Sequence, residues 1–208
     1  PGGANAGTLD VLRRIMDPPK RPPTTESCDL CGEEVPDHHG HLVDLDHRNL
    51  ACACRPCYLL FTQRGAGRYR AVPERYLALD GPAFSQGQWD GLGIPVGVAF
   101  FFFNSSLGRV AAFYPGPAGA TESLLDLGVW EQLMSDHPVL AGMEPDTEAL
   151  LVRADRSGVE GYLVPIDACY ELVGQMRFGW RGFDGGSEVH QAIEAFFERV
   201  SAQAGGHG

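Results

Sequence analysis

The chain has 208 residues, 44% of them hydrophobic and 21% charged, a composition that suits one substantial core with a small appended module. Its net charge is −11, with 7 basic and 9 acidic residues up to Ala66 and 9 basic and 18 acidic after it, so neither part has the basic surplus a nucleic-acid partner requires. The longest apolar stretch, residues 94–103, is interrupted by Pro95 and Gly97 and is too short for a membrane span, and no secretory signal is evident, so a cytoplasmic protein is expected.

Residues 1–27 read as an amino-terminal tail and linker. Leu9, Leu12 and Ile15/Met16 fall at helical spacing, and the run Asp17-Pro-Pro-Lys-Arg-Pro-Pro23 then stops any helix and makes an extended spacer. Residues 28–65 read as a small metal module. Within it, His41-Leu-Val-Asp-Leu45 and Asn49-Leu-Ala-Cys-Ala-Cys54 are candidate strands paired across a polar turn, and Tyr58-Leu-Leu-Phe61 is a candidate element for docking the module on the main domain.

Residues 66–208 read as an α+β domain. Short strands are expected over 68–72 and 75–79, a hairpin over 96–103 and 109–114, a helix near 127–135, and a second hairpin over 147–153 and 160–165. Phe100 to Phe103 would present rings to both faces of a strand, so that strand should be central and covered. Two helices close the chain. Asp167 is a candidate N-cap of the first, with Cys169, Leu172, Val173 and Met176 on one face. Ser187 is a candidate cap of the second, with Val189, Ile193, Phe196, Phe197 and Val200 in one stripe. The expected class is α+β: a small zinc-ribbon-like module followed by an antiparallel sheet with helices on one side.

Chemistry concentrates in the cysteines. Cys28-Asp-Leu-Cys31 and Cys54-Arg-Pro-Cys57 are two C-x-x-C knuckles separated by 22 residues, a spacing suited to one tetrahedral ion held between two turns. Four thiolates favour Zn²⁺ and fill its coordination sphere, which makes the site structural and a source of folding energy for a segment with few apolar residues. Iron is the rival ion, as a rubredoxin-like centre or an iron–sulfur cluster. Cys52, two residues before Cys54, is a possible substitute ligand, although a small buried residue behind the knuckle is the simpler reading. Cys169 reads as a packed thiol. His38, His39, His41 and His47 crowd the inter-knuckle segment and read as solvated turn residues rather than a second metal site.

Other constellations are weaker. The run from His41 to Asn49 superficially resembles an HNH nuclease, but only Arg48 separates His47 from Asn49, too little for the loop, strand and helix such enzymes use. Tyr114-Pro-Gly-Pro-Ala-Gly-Ala-Thr-Glu122 lacks the Lys-Ser/Thr of a phosphate loop and reads as a rigid turn. Trp180-Arg-Gly-Phe-Asp-Gly-Gly186 sets Arg181 between Trp180 and Phe183 ahead of a helix, a candidate contact for a carboxylate or a partner chain. No nucleophile triad, carboxylate pair or nucleotide fingerprint is recognisable, so an enzyme is not the leading reading.

The string from Cys28-Asp-Leu-Cys31-Gly through Leu50-Ala-Cys-Ala-Cys-Arg-Pro-Cys-Tyr-Leu-Leu-Phe61, with Pro165-Ile-Asp-Ala-Cys-Tyr-Glu-Leu-Val-Gly174 and Trp180-Arg-Gly-Phe183, resembles a mostly actinobacterial domain family of unknown function. The resemblance covers about residues 28–200. Members of that family are often encoded beside high-affinity nickel–iron (NiFe) hydrogenases. The resemblance therefore implies an accessory part in assembling or supporting such an enzyme, with a hydrogenase subunit or maturation factor as protein partner. An iron-binding electron-transfer module is the alternative, and a small-ligand-binding or catalytic α+β domain a second one.

Overall fold

The run of four phenylalanines organises the larger part of the chain. In a computed structural model describing residues 26–63, 67–123, 127–179 and 186–205, it lies within strand β5 (Val98–Asn104), flanked on both sides in a six-stranded antiparallel sheet. The small sheet comprises β1 (Gly40–Asp44), β2 (Asn49–Ala53) and β3 (Tyr69–Ala71), with helix α1 (Arg55–Leu59) following β2. The large sheet comprises β4 (Leu77–Ala78), β5, β6 (Arg109–Gly116), β7 (Gly119–Ser123), β8 (Glu148–Asp155) and β9 (Gly158–Pro165) in the order β4-β9-β8-β5-β6-β7. Its helices are α2 (Gln86–Gly91), α3 (Leu127–Asp136), a 3₁₀ turn (Pro138–Gly142), α4 (Ile166–Gly179) and α5 (Gly186–Gly205). The α+β class and the antiparallel sheet are as expected.

Alternation along β5 sends Phe100 and Phe102 to one face and Phe101 to the other, and each face has its own cover. Phe100 and Phe102 meet the two long helices through Cys169, Leu172, Met176, Phe196 and Phe197. On the opposite face Phe101 packs with Trp89 of α2, Trp130 and Leu133 of α3, and Leu140 of the 3₁₀ turn. The long helices thus share one side of the sheet, and shorter ones cover the other. Both expected hairpins form, β5–β6 and β8–β9, the second in continuous register from Glu148–Pro165 to Asp155–Gly158.

Several local expectations need correction. Asp167 is a first-turn residue of α4 rather than its cap, because the helix begins one residue earlier. The glycine-rich segment after Tyr114 is no loop: β6 and β7 pair through Tyr114–Thr121, Pro115–Ala120 and Gly116–Gly119. The 75–79 strand shortens to Leu77–Ala78. Tyr58 does not dock the small module outward. It packs on Leu42, Ala51 and Ala53 of the small sheet itself, while Leu59 and Leu60 are exposed. The expected amphipathic stretch and proline linker, the Trp180–Phe183 segment and the Ser187 side chain lie outside the described residues.

The strand expected over 68–72 does form, but its partner is β1 rather than the large sheet. The small sheet therefore takes its third strand from beyond residue 65. Val43 and Val72 belong to the same apolar cluster as Phe100 and α4, which fixes the small sheet against the large one. Its turn is tied by Asp44, whose carboxylate accepts from the backbone N–H of Asp46 at 3.1 Å and of His47 at 3.3 Å, and from Arg68 Nε at 2.7 Å.

Candidate metal centre

Each knuckle is shaped by its own backbone. In the first, Gly32 N–H donates to the Cys28 carbonyl at 2.8 Å, and Gly32 has φ of 76°, a conformation that glycine adopts without the steric cost of a Cβ. In the second, β2 ends at Ala53, Cys54 becomes the N-cap of α1 in extended conformation, and Pro56 sits in the first helical turn, where no N–H is required. The knuckles are clasped at one place: Asp29 N–H donates to the Cys52 carbonyl at 2.9 Å, and Cys52 N–H donates to the Asp29 carboxylate at 2.6 Å.

The result brings the sulfurs of Cys28, Cys31, Cys54 and Cys57 within 4.8 Å of one another, with Cys31 and Cys54 3.6 Å apart. Thiolates around a tetrahedral ion with Zn–S of ~2.3 Å would stand ~3.8 Å from each other, so the cluster fits a four-thiolate ion. Its electrostatics ask for one. Burial pushes the Cys28 thiol up, but the backbone groups of Cys54, Cys31 and Leu30 at its sulfur outweigh that and bring it down to about 6. Cys57 is pushed up to about 12, first by hydrogen bonding with the Cys54 and Cys31 sulfurs, which holds its proton in place, and less by burial and the nearby Cys28.

Cys52 falls elsewhere. Alternation along β2 buries Ala51 and Ala53 against Tyr58 and turns Cys52 to the opposite face, where its cross-strand partner is His41. Had the strand continued, Cys54 would share that face, but the chain turns into α1 first. His39 precedes His41 by two residues and lies on the same side. A ring nitrogen of each histidine and the Cys52 sulfur fall within 4.8 Å of one another, and the imidazole centroids are 4.8 Å apart. His41 Nδ1 pairs with Asp167 Oδ2 at 2.8 Å, which raises the imidazole above its ordinary value against the opposing effect of burial. Burial, with Asp29 and Glu26 nearby, pushes the Cys52 thiol up.

The reading of four solvated histidines therefore holds only in part. His38 and His47 are exposed, and His47 Nδ1 lies 3.0 Å from Asp44, whereas the His39 side chain is only 4% exposed. His39 and His41 stand two apart in the sequence, but only the pairing of His41 with Cys52 across β1 and β2 brings the three together. Asp167, 126 positions from His41, carries no local sign of it. Cys169 is fully buried on α4, and that burial pushes its thiol well up, in keeping with a packed residue.

A four-cysteine cluster between two knuckles, on a small sheet docked to a covered antiparallel sheet, defines a protein with a possible metal-binding module. By its sequence the chain belongs to a family of unknown function, DUF5947, whose pattern spans residues 27–204. No curated protein and no solved structure matches the chain significantly. No helix among the described residues is long and apolar enough to cross a membrane.

Proposed function

We propose that the chain is a zinc-binding accessory protein of the cytoplasm, in which Cys28, Cys31, Cys54 and Cys57 hold one structural Zn²⁺ and the activity of the protein lies in contacts with a partner rather than in catalysis at that ion. The observation that carries this reading is the convergence of four sulfurs from two knuckles. A tetrahedral ion held by all four has no position for substrate or activated water. The module around them buries little of its own, with Leu42, Ala51, Ala53 and Tyr58 as the buried cluster, so a metal is a natural source of its stability. Metal analysis with a visible spectrum of the native protein tests this. A colourless protein containing zinc is expected, and a red, iron-containing one would replace it with an electron-transfer module.

A nickel–iron hydrogenase component or maturation factor is the partner we favour, on the sequence resemblance alone; the geometry adds nothing to that choice. Deleting the gene should impair assembly or activity of the hydrogenase in its host, and unchanged hydrogenase would remove the proposal. The acidic surplus of residues 67–208 favours a protein partner over nucleic acid. Trp180, Arg181 and Phe183 remain candidates for that contact.

A further inference from the structure

We propose that His39, His41 and Cys52 form a second metal site, separate from the four-cysteine cluster, which takes a borderline-soft transition-metal ion such as Zn²⁺ and keeps a coordination position open. Each of the three side chains is prepared for this by its surroundings. His39 Nδ1 lies 2.8 Å from the Pro36 carbonyl oxygen, which can only accept, so Nδ1 carries the hydrogen and, in the neutral ring, Nε2 keeps its lone pair. That Nε2 is buried and has no hydrogen-bond partner, the sole buried side-chain nitrogen or oxygen in this condition among the described residues. A buried acceptor left unanswered is unfavourable, and a cation answers it.

His41 presents the complementary arrangement. Its Nδ1 faces the Asp167 carboxylate at 2.8 Å, so that Nδ1–H donates and Nε2 is again the nitrogen left free. A carboxylate behind a histidine in this way fixes the ring's tautomer and orientation and strengthens it as a ligand. Asp167 comes from α4, so the ligand on the small sheet is oriented by a residue of the large domain. Cys52, paired with His41 across the two strands, adds the thiol, whose proton passes to solvent when the metal binds.

Two imidazoles and one thiolate suit zinc, cobalt, nickel or copper, and disfavour magnesium or calcium, which take oxygen ligands. Three protein ligands also leave a tetrahedral ion incomplete, unlike the four-cysteine site. The histidines border a cleft of about 1140 Å³ between the small sheet and α4, whose walls include Glu26, Tyr76, Asp167 and Glu171. The Glu26 carboxylate stands 3.7 Å from His39 Nε2 at the rim and is 64% exposed, so it can swing away from the position a fourth ligand takes.

Cobalt titration of the full metal-free chain tests the proposal, because four-thiolate and mixed nitrogen–thiolate Co²⁺ absorb differently. The wild-type chain should take up two equivalents. Cys52→Ser and His39→Ala should each take up one and retain the four-thiolate spectrum, which also reports that the module is folded. A single equivalent in the wild type, or two in both variants, would overturn the site. Azide should shift only the bands that Cys52→Ser removes. Bands indifferent to azide would overturn the open position, and a Glu26→Gln variant that becomes azide-sensitive would assign that position to Glu26 instead.

Discussion

Single charged residues at the junctions of this fold carry more than their exposure suggests. Glu148 is fully buried at the start of β8 and is met by Arg75 through Nε at 2.9 Å and Nη2 at 2.6 Å, with the Glu144 N–H at 2.8 Å. Arg75→Ala leaves that carboxylate buried without its cation and should cost about 3 kcal/mol in chemical denaturation. Asp44 behaves differently, because its effect depends on pH. The Arg68 guanidinium holds its carboxyl well below the usual carboxylate range, aided by the backbone N–H groups of the turn and opposed by burial. Such a group stabilises the fold in full above the ordinary carboxylate value of about 4 and loses its contribution as pH falls through the lower folded value. Denaturation of Asp44→Asn beside the wild type should show a gap that is constant near neutrality and closes below about pH 4. At the cysteines the sign is set by competition with protons. With Cys57 pushed up to about 12, binding of the proposed ion must displace its proton, so metal affinity should fall as pH is lowered, with protons released on loading. Competition with a chromophoric chelator at pH 6 and pH 8 measures both.

At the scale of elements, alternation and turn chemistry made the two long hairpins readable. Phe100 to Phe103 pointed to a strand covered on both faces, which holds for Phe100, Phe101 and Phe102 but not for Phe103, 37% exposed near its end, and Gly108 and Gly158 end the turns at positive φ of 62° and 144°. Phe101→Ala should therefore cost about 3–5 kcal/mol, seen as a lower unfolding midpoint in denaturant. The β6–β7 hairpin was hidden because Pro115 and Pro117 look like breakers. Pro115 lies beyond the last β5–β6 pair, Phe100–Phe113, so its missing N–H removes no bond to β5. The partner of β3 was illegible for another reason. Nothing within residues 69–71 says whether they pair with a strand before or after them, and only the assembled sheet decides. The knuckles were legible from spacing alone, whereas the His39–His41–Cys52 group needed the register of β1 on β2. Gly40 shows how tight that register is: a Cβ there would enter the Tyr58 ring, with Cγ at 2.8 Å. Gly40→Ala should displace Tyr58 and weaken the metal retention proposed for the cysteine cluster, while the near-ultraviolet signal of Trp89 and Trp130, across the large sheet, stays unchanged.

For the whole molecule, the two sheets differ in what sustains them. The large one has an apolar cluster on each face, and the small one has a few buried side chains and the cysteine cluster. Stripping metal with a chelator should accordingly speed amide exchange in β1 and β2 well before it affects β5 or β8, as hydrogen-exchange mass spectrometry would resolve. Uniform exchange across both sheets would mean that the cluster contributes nothing locally. The two modules read from the sequence as successive blocks, yet β1 takes part in both, with Leu42 in the small core and Val43 in the large one.

That threading has a bearing on how the ribbon could be inherited or transplanted. Both knuckles are complete by Cys57, but the sheet that carries them is closed by Tyr69–Ala71, and the Tyr58 hydroxyl donates to the Val72 carbonyl at 2.8 Å. A gene fragment ending at residue 65 would carry every cysteine of the cluster and still encode an unfinished sheet. The ribbon is better described as a stitch in the larger domain than as a bead on a string, and shuffling it into another protein would mean taking the seam as well.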